Sequence, residues 1–247
     1  MPSRSKPARI SARALRGAGK KPGRLRRILR RVLGIAALVF LAFYVSCAGM
    51  MALARWVNPF TTSVQIERRI QSWLDRKPYR KQHRFVPLAQ ISPHLRHAVI
   101  AAEDGRFYQH RGIDWQEVRK VAEESLEEGE VPRGASTISQ QLVKNLFLTT
   151  SRNPLRKGME FALVPVLELL LTKDRILELY LNVAEWGPGV WGAEAAAQYH
   201  YKTSAAGLSR DQAARLAAIL PNPRRRRPAR MNDYSARIAG RMQQMGW

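Results

Sequence analysis

The sequence predicts a mostly helical domain that follows one membrane-spanning helix. Residues 32–53 form a run of 22 residues without a charge, which is long enough to cross a bilayer once as a helix. Downstream of this run, helix start and stop signals recur, and no long stretch of alternating β-branched residues indicates a strand. The remaining length suffices for one domain with a full core, and the single cysteine, Cys47, excludes an intrachain disulfide.

Positive charge is concentrated ahead of the apolar run. The chain has a formal net charge of +23, and residues 1–31 hold twelve Lys or Arg and no acid. Because positively charged flanks stay in the cytoplasm, we expect an uncleaved anchor with a cytoplasmic N-terminus. A cleaved signal peptide is the alternative, but its apolar region would be shorter. The expected organisation is a basic cytoplasmic tail at 1–31, a transmembrane helix at 32–53, a basic membrane-proximal segment at 54–84 and the main domain at 85–247.

The basic composition indicates an anionic partner, which charge alone leaves as nucleic acid, anionic lipid or a phosphorylated substrate. The expected topology favours lipid, because the basic tail would lie beside the headgroups of the membrane. Nucleic acid is therefore not an expected partner.

Capping signals along the main domain indicate where its helices begin and end. Asp114 has the form of an N-cap acid with Glu at N3, and its helix is expected to stop at Gly129, near Pro132. The segment Thr137–Gln140 has the spacing of a capping box, and Pro154 stands at a first helical position. We expect helices at 63–76, 93–103, 114–128, from 136, from 154, and at 173–184, 190–201, 209–220 and 234–245.

The helix from Pro154 carries the apolar run FALVPVLELLL, which is too short to span a membrane. We expect it to be the buried central helix of the domain, with a kink at Pro165.

Glu103 ends a run of small and apolar residues, 98–102. Burial of this helix end would desolvate the carboxylate and raise its pKa toward the range of a general base. Asp104 beside it would act in the same direction, and His110 and Gly112 close the segment in a turn. An ordinary acid at a helix end is the alternative, and local spacing does not decide between the two interpretations.

Polar side chains share one face of the helix that begins near Ser136. Two amides, a hydroxyl and an ammonium group near a helix N-terminus suit an anion or a sugar. A solvated outer face is the alternative. The four residues fall within an arc of roughly 100°: Thr137, Gln140, Gln141 and Lys144.

A second cluster of charge follows this helix. Arg152, Arg156, Lys157 and Glu160 stand within one or two helical turns. With Lys144 they could hold a diphosphate, with Glu160 orienting one of the cations. The alternative is a surface ion pair between Arg156 and Glu160, which are spaced i,i+4.

Taken together, five segments resemble the motifs of the peptidoglycan glycosyltransferases, glycosyltransferase family 51, and within it the monofunctional transglycosylases. The resemblance covers roughly residues 85–247. Ala135, His200 and Pro165 depart from the family's pattern, which leaves local geometry open but removes no charged motif residue. The segments occur in order between residues 98 and 202: AAEDGRFYQHRGID, GASTISQQLVKN, RKGME, RILELYLN and GVWGAEAAAQYHYK.

The resemblance implies a lysozyme-like helical fold and polymerisation of lipid II, a disaccharide-pentapeptide on a polyprenyl diphosphate, into β-1,4-linked glycan. Glu103 matches the base that deprotonates the 4-hydroxyl of the acceptor, and Glu160 matches the second essential carboxylate. The α-linked donor gives a β-linked product, so the reaction inverts. The segments imply substrate contacts at Asp104, His110, Ser136, Thr137, Gln140, Gln141, Lys144, Asn145, Arg152, Arg156 and Lys157.

The resemblance also implies a single-pass protein of the bacterial inner membrane with its catalytic domain outside the cytoplasm. The implied partners are lipid II, the growing glycan strand, membrane lipids and proteins of cell-wall synthesis or division. No cofactor is expected. The sequence contains no evident metal-ligand cluster, so a divalent cation, Mg²⁺ or Mn²⁺, would come with the substrate diphosphate.

Three other functions are weighed against this one. A bifunctional penicillin-binding protein would need a transpeptidase domain, but the one Ser-x-x-Lys, at 3–6, lies on the expected cytoplasmic side. A lytic transglycosylase would use a Glu-Ser pair, and Glu124-Ser125 stands on an acidic helix without the surrounding pattern. A basic membrane-anchored adaptor would show no activity.

Overall fold

The computed structural model describes residues 23–128, 136–151 and 153–247. The mostly helical class predicted from the sequence is confirmed. In the described residues the ten α-helices, α1 to α10 in chain order, are Arg24–Leu53, Ser63–Leu74, Pro93–Glu103, Trp115–Glu128, Ile138–Phe147, Pro154–Leu170, Lys173–Val183, Ala193–Tyr201, Arg210–Ile219 and Asn232–Gln244.

The chain divides into two compact units, residues 1–43 and 44–247. The first contains the N-terminal part of α1, a helix that is long and apolar enough to cross a membrane. Most of the basic tail predicted at 1–31 lies outside the described residues. The second unit includes the end of α1, where Cys47 and Met51 are buried and the Tyr44 hydroxyl donates to the Ala162 carbonyl at 3.4 Å.

The core of the second unit lies around α7. From Ile176 to Val183 every residue of α7 except Glu178 is buried, so this helix is enclosed on most of its surface. Helix α5 packs against α2, α6 and α7, and α3 packs against α9 and α10. The two groups bring the C-terminal end of α3 to the N-terminal end of α5.

The prediction that the helix from Pro154 is the buried central helix is wrong. Helix α6 buries a single stripe that includes Leu163, Val164 and Leu167, while Ala162, Pro165 and Leu169 on its other side are exposed. Residues spaced i, i+1 and i+4 lie on one side of a helix, so one stripe is what a helix on the surface of the core buries. The central position belongs to α7.

The prediction that the domain lacks strands is also wrong. The strands β1 at Gln82–His83, β2 at Glu185–Gly187 and β3 at Val190–Trp191 form a small sheet in the order β1-β3-β2. Strand β3 is parallel to β1 and antiparallel to β2. Strands of two or three residues are too short to show an alternating pattern, which is why the sequence did not reveal them.

The predicted start of the helix at 190–201 is wrong. The helix begins at Ala193, because Val190 and Trp191 pair with β1 as strand β3. Gly192 separates strand from helix with a φ of +85°, and a Cβ there would lie 2.7 Å from the Asn182 carbonyl oxygen. Most other predicted helices agree with the structure to within two residues at each end that was predicted. The predicted stop at Gly129 and Pro132 lies outside the described residues.

Gly189 provides a test of the sheet. Its φ is +76°, and a Cβ would lie 2.5 Å from the Arg80 carbonyl oxygen, ahead of β1. We expect Gly189→Ala to lower the free energy of unfolding by about 2 kcal/mol, because both the backbone and the contact are strained. Urea denaturation of the full chain in detergent measures the change.

The matched control is Gly240→Ala in α10, where a Cβ would meet nothing within 4 Å. This substitution should raise the free energy of unfolding by about 0.5–1 kcal/mol, the ordinary gain of Ala over Gly within a helix. Equal effects at the two glycines would contradict the assigned turn.

Candidate active site

Glu103 is the last residue of α3 and is half-buried. Its Oε2 accepts a hydrogen bond of 2.6 Å from Gln141 Nε2, and Gln141 Oε1 accepts one of 3.0 Å from the Tyr180 hydroxyl. Burial raises the pKa of Tyr180 well above its ordinary value, so the hydroxyl keeps its proton and donates. The chain of hydrogen bonds therefore fixes which end of the Gln141 amide faces Glu103.

Burial is the main reason why the pKa of Glu103 is raised above its ordinary value of 4.5, and the nearby charge of Asp104 acts in the same direction. The hydrogen bond from Gln141 and the charges of Lys144 and Arg226 oppose this effect. A carboxylate with a raised pKa is the form that general-base catalysis needs near neutral pH. The structure thus favours the catalytic interpretation of Glu103 over that of an ordinary surface acid.

Asp104 joins the end of α3 to the start of α5. It is buried, and its Oδ2 accepts from the Ile138 backbone N–H at 3.0 Å while its Oδ1 lies 2.7 Å from His110 Nε2. The Gly112 N–H donates to His110 Nδ1 at 3.1 Å, which leaves the ring proton on Nε2. This geometry supports a role in holding the turn, and substrate contacts by Asp104 and His110 stay predictions.

The predicted capping box at Thr137 and Gln140 is confirmed. Gln140 Oε1 accepts from the Thr137 N–H at 2.9 Å, and Thr137 Oγ1 accepts from the Gln140 N–H at 3.2 Å. Both side chains are buried, and the Thr137 hydroxyl also donates to the Gly112 carbonyl. The expected polar face is therefore divided: these two residues build the helix end, whereas Gln141, Lys144 and Asn145 line a cavity.

The second carboxylate, Glu160, is buried in the first half of α6. Arg156 Nη1 donates to its Oε2 at 2.5 Å, and Lys157 Nζ pairs with its Oε1 and donates to Ser136 Oγ at 3.2 Å. A surface ion pair does not describe this arrangement, because the carboxylate is only 2% exposed. Arg152 lies outside the described residues, so its predicted contact with phosphate stays a prediction.

Lys144 stands between the two carboxylates. Burial lowers the pKa of Lys144 from its ordinary value of 10.5, and the charges of Glu160 and Glu103 partly restore it. Its Nζ makes no hydrogen bond to another of the residues that the structure describes, so it is available to a ligand.

Of the residues described above, Gln141, Lys144, Asn145, Arg156 and Tyr180 line a polar cavity of about 420 Å³. Helices α2, α5, α6 and α7, strand β2 and the segment after α9 all contribute to its walls. Sequence reasoning missed part of the cavity lining. The missed residues are far in the chain from the motif residues of α5 and α6, and no local sequence pattern indicates that the fold brings the two sets together. The missed residues that carry polar groups include Arg68, Tyr180, Glu185, Asn222 and Arg224.

The structure brings Asp104, His110 and Asp114 together, with potential metal-ligand atoms within 4.8 Å of one another. Sequence spacing did not reveal this group. Its atoms already have partners inside the protein: Asp104 binds His110 and Ile138, and both oxygens of Asp114 accept from Arg106. The group therefore acts as a hydrogen-bond network that holds the loop, and it does not fit a metal centre.

The Glu124-Ser125 pair lies on α4, away from these groups. Glu124 is exposed, and the Ser125 hydroxyl donates to the Val121 carbonyl within the same helix at 2.7 Å. The pair lacks the buried environment that would prepare a catalytic acid, which disfavours a lytic transglycosylase.

The fold and the site define a helical enzyme in which a partly buried carboxylate is hydrogen-bonded to Gln141, a residue that lines a cationic, polar cavity. The chain belongs to the transglycosylase family, whose model matches residues 67–245. The match starts inside the segment 54–84 and includes most of α2. The resemblance found in the sequence motifs is thereby confirmed.

Three relatives show how far the similarity extends, and each carries the name biosynthetic peptidoglycan transglycosylase. The protein of Pseudomonas syringae pv. syringae is 43% identical over 226 residues, covering 90% of this chain and 94% of the relative. That of Pseudomonas aeruginosa is 42% identical over 223 residues, with coverage of 90% and 94%. That of Herminiimonas arsenicoxydans is 46% identical over 202 residues, with coverage of 80% and 87%.

Asp104 provides a test that separates a structural role from substrate contact. In Asp104→Asn the amide cannot accept from both His110 and Ile138 as the carboxylate does, so we expect the free energy of unfolding to fall by about 1–3 kcal/mol. Chemical denaturation measures it, and Asp75→Asn, at an exposed position after α2, should stay within about 0.5 kcal/mol of wild type. Unchanged stability with a raised KM would instead place Asp104 in contact with substrate.

Proposed function

We propose that this chain polymerises lipid II into β-1,4-linked glycan by an inverting displacement. Membership of the transglycosylase family supports glycan synthesis. The observation that carries the mechanism is the hydrogen bond that the Glu103 carboxylate accepts from Gln141, because Gln141 lines a cavity that Lys144 and Arg156 also line. A base held by a cavity residue and a cluster of cations at that cavity are the two parts that the reaction requires.

Glu103 takes the proton from the 4-hydroxyl of the acceptor N-acetylglucosamine. The oxygen then forms a bond to C1 of the donor N-acetylmuramic acid while the bond from C1 to the diphosphate oxygen breaks. Attack from the face opposite the leaving group converts the α-linkage into a β-linkage. Gln141 holds the carboxylate in place, and its own orientation is set by Tyr180.

The departing polyprenyl diphosphate gathers negative charge, which positive groups must stabilise. Lys144 is free to meet it, while Arg156 and Lys157 are held in position by the buried Glu160. In this assignment Glu160 is a positioning residue for two cations. A divalent cation, where one takes part, would arrive on the diphosphate, because the described donors suit a phosphate better than a bare metal.

Membrane attachment follows from the nature of the substrate. A lipid-linked substrate stays in the bilayer, so an enzyme anchored by α1 meets it at the membrane surface. We place the N-terminus in the cytoplasm and the second unit on the outer side of the inner membrane. Those basic residues of 68–84 and 224–227 that do not line the cavity would face anionic headgroups.

Replacing the base tests the assignment. In Glu103→Gln the side chain keeps an oxygen for Gln141 but cannot accept the proton, so we expect polymerisation of lipid II to slow by at least about a hundredfold. Electrophoresis of labelled glycan measures the rate. The matched control is Glu123→Gln on the exposed side of α4, which should retain wild-type activity. A Glu103→Gln variant that polymerises at nearly the wild-type rate would refute the base assignment.

The pH dependence gives a second test. Glu103 must be deprotonated and its pKa is raised, so kcat/KM should rise with pH along a limb above 4.5. Lys144 must be protonated, and its pKa is lowered. As the pH rises further, activity should therefore fall again along an alkaline limb whose midpoint lies below pH 10.5. In Lys144→Arg the guanidinium keeps its proton, and the alkaline limb should move upward. An alkaline limb that is identical in the two proteins would show that another group titrates.

A further inference from the structure

A second cavity, of about 630 Å³, lies between the C-terminal half of α6 and the turn that follows α3. It shares no lining residue with the cavity of the proposed reaction. On α6, Arg156 lines the reaction cavity and Glu168 lines the second one, so the two cavities meet this helix about 18 Å apart along its axis. The second cavity is therefore a separate feature of the domain.

The charged part of its lining has positive charge in excess. Arg111 is exposed and makes no hydrogen bond to another of the residues that the structure describes. Lys173 donates to Glu168 Oε1 at 2.8 Å, and its ammonium group lies 4.5 Å from the centre of the Phe107 ring, which fixes its position. Glu168 is largely buried and also accepts from the Ser139 hydroxyl. Arg111 and Lys173 against this one carboxylate leave a formal charge of about +1.

The apolar part of the lining continues an uncharged outer side of α6. A helix side that faces water normally carries polar or charged residues. From residue 158 to the end of α6, no exposed residue carries a charge, and Leu169, which lines the second cavity, is 84% exposed. These exposed residues recur at helical spacing: Gly158, Ala162, Pro165 and Leu169. Such a surface suits contact with hydrocarbon.

Contacts with the end of α1 place this surface beside the expected membrane anchor. The Tyr44 hydroxyl donates to the Ala162 carbonyl at 3.4 Å, and Arg175 Nε donates to the Ala54 carbonyl at 2.9 Å. Tyr44 lies within the apolar run and Ala54 directly follows it, so the two contacts are about 15 Å apart along α1. The chain between Ala162 and Arg175 holds five residues of the lining: Pro165, Glu168, Leu169, Leu171 and Lys173.

We propose that the second cavity binds an anionic phospholipid, with Arg111 and Lys173 on its phosphate and an acyl chain along Pro165 and Leu169. Lys173 stands near the contact at the end of the apolar run, where headgroups lie, and Leu169 stands nearer the contact inside it. Basic side chains beside a lipid-facing surface are common ligands of anionic headgroups. A formal charge of about +1 matches a singly charged phosphodiester better than a diphosphate.

This inference rests on α1 as a membrane anchor and is independent of the polymerase reaction. Binding is therefore measured without lipid II. The full chain is placed in neutral detergent micelles that contain phosphatidylglycerol, and native mass spectrometry counts the bound lipid as its concentration is raised.

Replacing Arg111 tests the headgroup contact. We expect Arg111→Gln to weaken binding of phosphatidylglycerol about tenfold, the order of one charge-assisted hydrogen bond. The matched control is Arg119→Gln on α4, which removes the same charge from an exposed residue outside the lining and should bind as wild type does. Equal losses in the two variants would reduce the effect to net charge and overturn the proposal.

Replacing Leu169 tests the contact with the acyl chain. Leu169→Ser should weaken binding because the chain loses an apolar contact, whereas Leu155→Ser, at an exposed position outside the lining, should match wild type. Both side chains are exposed, so both variants should keep the wild-type melting temperature. Binding by Leu169→Ser that equals that of wild type would overturn the proposal.

Competition identifies the ligand. Neither inorganic phosphate nor a polyprenyl diphosphate, each equimolar with phosphatidylglycerol, should displace the bound lipid, and Arg111→Gln should not alter the binding of zwitterionic phosphatidylcholine. Displacement by inorganic phosphate would make this an ion site, and displacement by the diphosphate would assign it to the substrate lipid. Either result, or absence of binding to wild type, would overturn the proposal and leave the polymerase assignment untouched.

Discussion

The buried carboxylate of Asp104 is the interaction on which the site depends. The last turn of α3 and the first turn of α5 come from segments 34 residues apart, and this side chain binds the Ile138 N–H across the gap. A free N–H at a helix N-terminus is both unsatisfied and positively polarised, so a carboxylate is the strongest available acceptor. Glu103 and Gln141 flank this junction on its two sides, and their hydrogen bond follows from its geometry.

The rest of the site depends on how buried charges are balanced. An isolated carboxylate at the position of Glu160 would be costly, and breaking such a buried pair typically costs about 3–5 kcal/mol. Two cations from the same helix, Arg156 and Lys157, offset this cost at i,i+4 and i,i+3 spacing. Lys144 on the neighbouring helix forms no such pair with a described residue; burial lowers its pKa, and the charges of Glu160 and Glu103 oppose that effect. The cavity is therefore cationic: Arg156 and Lys157 are paired with Glu160, and of the three Lys144 is the cation left for a ligand among the described residues.

Local signals in the sequence predicted the helices but not their arrangement. Caps such as Thr137 and the proline at Pro154 act within one turn, so reading the sequence reveals them. The small sheet depends on pairing between residues near 82 and near 190, which no local pattern encodes. The same holds for the candidate site. Its motif residues were recognisable in the sequence, whereas the contact between Arg68 and Glu185 joins residues 117 positions apart and could be found only from the folded structure.

Helix α2 makes hydrogen bonds to two parts of the cavity lining. On one side Glu67 accepts from the Thr150 N–H at 2.8 Å and from its hydroxyl, which fixes the loop ahead of α6. On the other side Arg68 binds Glu185 in β2. Arg175 of α7 in turn holds the segment after α1, since its Nε donates to the Ala54 carbonyl at 2.9 Å. Hydrogen bonds from α2 thus reach both Thr150 and Glu185, two parts of the same cavity lining, and the family match includes most of α2.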